Sequence, residues 1–280
     1  RYSFDNVSGS AVINDGSGGS SMNGVLTNGA VIVPGKVGNA VGLSNSAAVF
    51  INSAVTGLSG GGNWTVTAWI KTAQSGASML SKGDNTTWSG NNATFYLTDG
   101  GSGGGGKPGG VRYGQNWIGN SALPNVNDGN WHLVAYTDNA GSKTIYGDGV
   151  SYAVSNNGWG TSMGDVRNKI WLGWTSGHDG SASLNGMLDE VCLFNSALSA
   201  TQITNLYNQT YVNPSYQYQS PSVGFAAIIE PPDSPNFSGI NRMKDGPMIL
   251  SFSAPFSGNY SLWAGTNLAL PLGSDGWALL

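Results

Sequence analysis

Short runs rich in Val, Ile, Thr and aromatic residues recur along this chain between clusters of Gly, Asn, Ser and Asp. They include Trp64 to Thr72, Thr94 to Thr98, Trp131 to Thr137, Lys143 to Tyr146 and Lys169 to Trp174. Runs this short, punctuated this often, are the pattern of an all-β sandwich or barrel. Within Asn63 to Lys71, alternation sets Trp64, Val66, Ala68 and Ile70 on one face and Thr65, Thr67, Trp69 and Lys71 on the other, because successive strand residues point to opposite sides. The first face is predicted to be core, whereas the second need not be. Hairpin turns are predicted at Asp99-Gly100, Asp148-Gly149, Asn156-Asn157-Gly158 and Asn185-Gly186, where Asn and Gly tolerate the backbone that tight turns require. One helix is predicted from Ser199 to Tyr207, with Ser199 as N-cap and Gln202 three residues on.

The surface around such a core must be built with few charges. Only 9% of the 280 residues are charged, with a net charge of -4, while Gly occupies 44 positions; soluble domains usually carry about 25% charged residues. No basic run tracks a phosphate backbone, which argues against nucleic acid as a partner. Low charge does not imply disorder here, because 39% hydrophobic content and 10 Trp supply core material that disordered chains lack. No apolar stretch reaches the roughly 18 residues of a membrane helix. The start Arg1-Tyr2-Ser3-Phe4, without an initiator Met or a signal-peptide pattern, reads as a processed, mature chain. The single Cys192, between Val191 and Leu193-Phe194, excludes an intrachain disulfide framework and is expected to be a small buried hydrophobe.

After Tyr211 the chain passes through Pro214, Pro221, Pro231, Pro232 and Pro235 to a second set of predicted strands, Met248 to Ser253, Tyr260 to Ala264 and Trp277 to Leu280. The expected organisation is a domain over 1–212, a Pro-rich linker or donor segment over 213–235, and a small incomplete β module over 236–280.

The first domain carries Tyr2-Ser3-Phe4-Asp5, Asp15-Gly16-Ser17-Gly18, Asn23-Gly24, Gly35-Lys36-Val37-Gly38-Asn39-Ala40-Val41, Trp64 to Lys71, Leu80-Ser81-Lys82-Gly83, Trp131-His132-Leu133-Val134-Ala135, Gly186 to Val191 and Ala197-Leu198-Ser199. In number, order and spacing these pieces resemble the laminin G-like, concanavalin A-like jelly rolls of secreted bacterial proteins. The resemblance covers about residues 1–210 and implies a two-sheet antiparallel jelly roll with its first and last strands side by side. Such domains serve as glycan-binding, adhesion, enzyme-appended or structural modules, so the fold bounds the function without choosing it. Tyr260 to Leu268 resembles a fibronectin- or immunoglobulin-like module, cut short.

Catalysis finds little support. Hydrolysis of a glycosidic bond usually needs two facing carboxylates, most often including a Glu tuned as acid. The two Glu are Glu190, made structural by the resemblance, and Glu230, next to Pro231-Pro232. Asp99, Asp128, Asp165, Asp179 and Asp189 are the positions where a catalytic Asp pair would have to be found. His132 is expected to be a satisfied strand histidine, His178 a loop residue without companions for a zinc site. No Gly-x-Ser-x-Gly elbow stands at a strand-to-helix turn, and the many Gly-x-Gly patterns have no βαβ setting. Ca²⁺ is the better-supported cofactor, since it takes six to eight oxygens of the kind Asx-rich loops offer; Asp5, Asp15, Asn23 and Asp189 are its candidate ligands, with plain Asx-turns the alternative. Asp84, Asp128, Asp165 and Asp179 are weaker candidates. Trp88, Tyr113, Trp117, Trp159 and Trp174 are candidate surface aromatics for stacking on sugar rings or anchoring an interface.

Three function classes follow. A secreted, calcium-hardened subunit that assembles head to tail into a fibre or coat fits the uncharged surface and the unfinished C-terminal sheet. Its donors would be Arg1 to Val7 or Asn213 to Ile229, its acceptor Met248 to Leu280. A carbohydrate-binding or adhesion module of a larger secreted protein, with polysaccharide as partner, fits the aromatics. An enzyme is the third and is not expected.

Overall fold

The computed structural model describes residues 1–52, 63–82, 93–100, 104–112, 117–154, 156–157, 169–174, 183–212, 236–242 and 248–253. The strands in chain order are β1 (Val7–Ser8), β2 (Ala11–Val12), β3 (Gly24–Thr27), β4 (Val31–Pro34), β5 (Asn39–Leu43), β6 (Ala48–Ile51), β7 (Trp64–Thr72), β8 (Ser78–Lys82), β9 (Ala93–Thr98) and β10 (Lys107–Arg112). They continue as β11 (Trp117–Gly119), β12 (Trp131–Asn139), β13 (Ser142–Gly147), β14 (Val150–Ala153), β15 (Asn156–Asn157), β16 (Ile170–Leu172) and β17 (Gly186–Phe194), followed by helix α1 (Ala200–Val212). A hairpin of β18 (Asn236–Arg242) and β19 (Met248–Ser253) is described beyond it. Packing divides the chain into two compact units, 1–221 and 222–280. The predicted strands Tyr260 to Ala264 and Trp277 to Leu280 lie outside the described residues.

Two antiparallel sheets make up the first unit. One has ten strands in the order β1-β2-β3-β6-β16-β8-β9-β10-β11-β15, and the other has seven, β14-β13-β12-β7-β17-β5-β4. The all-β jelly-roll expectation is met, and the core lies where the two inner faces meet. Trp64, Val66, Ala68 and Ile70 are all buried there, with Phe95, Tyr136, Ile170 and Leu172 opposite or beside them. Trp64 packs edge-on to Phe95 at 5.8 Å between ring centres, a favoured aromatic geometry.

The second face of β7 is buried too, contrary to the simplest reading of the alternation. Trp69, with Leu133, Ala135, Tyr146 and Cys192, forms a second cluster capped by Leu198, Ile203 and Leu206. Helix α1 therefore covers the outer face of the seven-stranded sheet. It begins as predicted: Gln202 N–H donates to Ser199 Oγ at 3.3 Å and Ser199 N–H to Gln202 Oε1 at 2.8 Å, a reciprocal cap contributing about 1 kcal/mol.

Asp148-Gly149 turns β13 into β14 with φ of 50° and 80°, as a two-residue hairpin demands. Two other predicted turns are corrected. Asn156-Asn157 forms β15, paired to Ile118 and Gly119, and Gly186 opens β17 against Leu43 and Thr72. In both, partners from distant strands outweigh the local turn preference.

The chain's first residues are woven into this sandwich. Tyr2 and Val191 exchange backbone hydrogen bonds of 2.9 and 3.1 Å, so the first and last strand segments lie side by side. Tyr2 and Phe4 are 1% exposed. A segment held this way is no free donor strand, which corrects the expectation that Arg1 to Val7 reaches a neighbouring copy; the alternative donor, Asn213 to Ile229, lies outside the described residues.

Candidate functional site

Directly paired residues in an antiparallel sheet point to the same side. The pairings Val25–Phe50, Phe50–Trp171, Trp171–Ser81, Ser81–Thr94, Thr94–Val111 and Val111–Trp117 therefore define one row across the ten-stranded sheet. The neighbouring positions Val49, Ile51, Leu80, Phe95, Ile118, Ile170 and Leu172 are in the core, so the row belongs to the outer face. Phe50 and Trp171 meet at 4.2 Å between ring centres with planes tilted by 31°, and Trp171 meets Trp174 at 4.9 Å and 59°. Lys169 Nζ stands 5.8 Å from the Phe50 ring. At the far end Tyr96 and Trp117 pack edge to face at 5.8 Å. From β16 to β11 is four strand spacings, about 19 Å.

Gly173 makes the turn that folds Trp174 back onto Trp171. Its φ is +79°, and a Cβ there would lie 2.3 Å from Leu43 Cδ1, so any other residue strains the backbone and displaces the Leu43 side chain. Ser81 Oγ then donates to the Trp174 carbonyl at 2.8 Å. The indole Nε1 atoms of Trp171 and Trp174 are buried and have no acceptor. A buried N–H left unpaired costs about 1–3 kcal/mol, which a hydroxyl or a water placed there would relieve.

Of the aromatics singled out in the sequence, Trp174 lies in this cluster and Trp117 on the same face at the other end. Trp88, Tyr113 and Trp159 lie outside the described residues. Sequence reasoning missed Phe50, Tyr96 and Trp171. The signal was present in Val49-Phe50-Ile51 and Ile170-Trp171-Leu172, where an aromatic between two aliphatics must point away from the core that claims its neighbours.

The four candidate calcium ligands do not form one cradle. Asp189 Oδ2 accepts the N–H groups of Lys36 and Val37 at 2.8 and 2.9 Å, and Oδ1 that of Glu190 at 2.7 Å. Burial first, with the neighbouring Glu190 charge, pushes this carboxyl up to about 8 against the pull of the three donors. Asp5 Oδ1 accepts Asn39 N–H at 2.7 Å. Asp15 pairs with Arg1 at 3.5 Å, and Asn23 Oδ1 accepts Asn14 N–H. Among the described residues no group of three Asp, Glu, His or Cys side chains is placed to hold a metal. Each of the four is thus engaged by the protein's own N–H donors or by Arg1. Glu190 is structural in the same sense: it takes a two-bond ion pair from Arg1 at 2.9 Å each, and its carboxyl is raised by burial against that pairing. Asp84, Asp165, Asp179 and His178 lie outside the described residues.

His132 is satisfied twice. Its Nδ1 lies 2.8 Å from Asp148 Oδ2 and its Nε2 2.9 Å from Asp128 Oδ1. Only the imidazolium has a proton for both, and its pKa is raised, first by the bond to Asp148 and then, against burial, by that to Asp128. Asp128 is held down to about 2 by His132 and by the backbone and side-chain N–H groups of Asn130. Both carboxylates are thus held on one ring. Asp99 is exposed, and Asp138 is buried with Lys143 at 2.9 Å.

A laminin G-type family model described as the concanavalin A-like lectin/glucanases superfamily matches residues 43–204. No curated protein matches the chain. Among solved structures, the binding domain of Paraclostridial Mosquitocidal Protein 1 is similar with a TM-score of 0.53 and 14% identity, over 74% of this chain and 51% of that one. Domain 4 of AbnA, an extracellular arabinanase of Geobacillus stearothermophilus in complex with arabinotriose, gives 0.47 and 19%, over 65% and 82%. A Trypanosoma rangeli sialidase mutant gives 0.48 and 13%, over 72% and 31%. The chain thus spans about half of the toxin binding domain and under a third of the sialidase. At such identities the likeness concerns the fold. Among the described residues no helix is long and apolar enough to cross a membrane.

Proposed function

Because the chain belongs to the concanavalin A-like lectin/glucanase superfamily, we propose that its first unit is a non-catalytic carbohydrate-binding module of a secreted or cell-surface protein, which takes polysaccharide on the outer face of the ten-stranded sheet. One observation carries this reading: the row from Phe50 through Trp171 and Trp174 to Trp117 gathers aromatic rings on the sheet face turned away from the core, with Phe50, Trp174 and Trp117 half-buried and Trp171 9% exposed. Sugar rings present C–H faces that pack on aromatic planes and hydroxyls that accept from indole N–H. A row of five strand spacings, about 24 Å long, suits an extended chain of sugars better than one monosaccharide. The described carboxylates support binding without hydrolysis, since Asp189, Glu190, Asp138 and the Asp128–Asp148 pair are each tied to protein donors or cations and none is poised for the two-carboxylate chemistry of a glycosidase.

The test is affinity electrophoresis and calorimetry against a panel of neutral and acidic polysaccharides. Binding by the native protein, weakened at least tenfold by Trp174→Ala with the melting temperature held within a few degrees, is expected. Absence of binding across the panel, or binding indifferent to Trp174 and Trp117, would remove the assignment. Hydrolysis of any panel member would remove the non-catalytic part of it.

A further inference from the structure

The edges of the two sheets differ in kind. The ten-stranded sheet ends in β1 and β15, each two residues long. The seven-stranded sheet ends in β14 and β4, each four residues long. At β14 the Ala153 carbonyl already accepts from Asn120 Nδ2 at 2.7 Å. At β4 no hydrogen bond from outside β5 reaches Val31–Pro34 among the described residues. Natural edges are usually blunted by charges, Pro, bulges or covering loops, and β4 carries one of these, Pro34, which has no N–H to offer. Here no charged residue occurs from Gly24 to Gly35, Val31 is 54% exposed, and an open groove of about 420 Å³ runs beside it, lined also by Gly42, Leu43 and Met187.

The side-chain pattern of β4 matches a second β4. Ile32 pairs with the core residue Val41 and packs on the core, while Val31 pairs with Gly42 and Val33 with Ala40 on the other face. A copy running antiparallel with Ile32 opposite Ile32 sets Val31 opposite Val33 twice, so both faces match. Every neighbouring pair in this sheet is antiparallel, and seven strands leave β14 and β4 running in the same direction. Joining β4 to β14 with the faces aligned would therefore give a parallel pair, the less stable kind. Joining β4 to β4 gives the antiparallel pair that continues the sheet, about a two-fold axis normal to it.

We propose that two copies of this chain pair through β4, extending the seven-stranded sheet into one continuous sheet of twice the size. A rotation about the sheet normal keeps the faces, so both ten-stranded sheets look to the same side and both aromatic rows can engage one polysaccharide, which raises avidity without a new contact. That consequence rests on the carbohydrate reading; the dimer does not. Four residues of edge are less than a standard interface of about 800 Å² per partner supplies, so a weak, reversible association is expected.

Sedimentation equilibrium of the full chain from low micromolar to several hundred micromolar, without glycan, tests this. A monomer–dimer equilibrium is expected, with Val31→Lys raising the dissociation constant about tenfold or more and Val150→Lys at the opposite edge leaving it unchanged. Ile32→Cys is expected to form a disulfide-linked dimer on mild oxidation, since opposed Cα atoms of antiparallel strands lie within disulfide range and the native Cys192 is buried. A monomer at every concentration, a dimer indifferent to Val31→Lys but lost with Val150→Lys, or no cross-link through position 32 would overturn the proposal.

Discussion

Replacing Asp189 by Asn tests whether its carboxylate is a knot of the fold or an ion ligand. In the protein it accepts three backbone N–H groups, two at Oδ2 and one at Oδ1, and it is 0% exposed. An amide has one acceptor. If its oxygen takes the Lys36 and Val37 donors, its NH₂ must face the Glu190 N–H, which sits only 2.7 Å from Oδ1. One hydrogen bond is lost and one buried donor is stranded, a cost of about 2–4 kcal/mol. Asp189→Ala strands all three donors and adds a cavity, about 4–7 kcal/mol, a large share of the roughly 5–15 kcal/mol a domain has. Gly35 is part of the same knot, since a Cβ on it would come 2.6 Å from Asp189 Oδ2. Urea denaturation at neutral pH, followed by tryptophan fluorescence with and without EGTA, separates the readings. The expected result is a loss for Asn about half that for Ala, unchanged by EGTA. A loss below 1 kcal/mol for Asp189→Asn would refute the hydrogen-bond argument, and a loss seen only when calcium is present would restore the ion.

Three further outcomes are expected. The His132 pKa is raised in the folded state, so its contribution is full below the unfolded value of about 6.5 and is lost as pH rises through the folded value; His132→Asn should flatten that stretch of the stability–pH curve, and an imidazole NMR titration at or below 6.5 for His132 would contradict it. EGTA should leave the hydrogen exchange of the Tyr2 and Val191 amides unchanged, because backbone bonds and the Arg1–Glu190 pair hold that junction; faster exchange in EGTA would point to a metal there. Gly173→Ala should lower stability by at least about 1–2 kcal/mol through its left-handed backbone and weaken glycan binding further than its stability loss explains, since it displaces Trp174; unaltered binding would detach the turn from the site.

The alternation in β7 was legible because one inner face recruits every second residue, and the capping box at Ser199 was legible because its two partners are three residues apart. What local pattern could not reveal was where α1 lands. Thr65, Thr67 and Trp69 look like a solvent face until Leu198, Ile203 and Leu206 arrive from more than a hundred positions away. Asn156-Asn157-Gly158 and Asn185-Gly186 carry turn chemistry, but pairing with β11, β5 and β7 decided their fate. Asp189 is the instructive case for the site. Its sequence neighbourhood offers carboxylate oxygens of the kind a cation uses, and only the tertiary placement of the Gly35–Asn39 turn shows that those oxygens are already taken. The aromatic row was half visible: Trp174 stood out beside Gly173, whereas Phe50 and Trp171 hid inside aliphatic runs and became one feature only through a register spanning β6 and β16.

The placement of α1 also assigns different tasks to the two sheets. A sheet in a sandwich has one face free for contact and two edges, and each must be covered, blunted or used. Helix α1 covers the face of the seven-stranded sheet, so what that sheet has left is its edges, and of these only β4 is, among the described residues, both uncharged and unbonded. The ten-stranded sheet is the reverse. Its edges shrink to two-residue stubs, and its outer face gathers Phe50, Trp171, Trp174, Tyr96 and Trp117, most of them half-buried. With so few charges on the chain, neither the β4 edge nor the aromatic face is protected by repulsion, and both are therefore open to partners: a second copy at the edge, and a polymer with packing faces and hydroxyls at the row. Because the face and the edge lie on different sheets, substitutions at Val31 and at Trp174 should act independently on dimerisation and on intrinsic glycan affinity. Their effects on avidity toward a long polysaccharide should not be independent, since the second row counts only when the first edge has joined it; a double variant whose avidity loss equals the sum of the single losses would show that the two sheets are not coupled in this way.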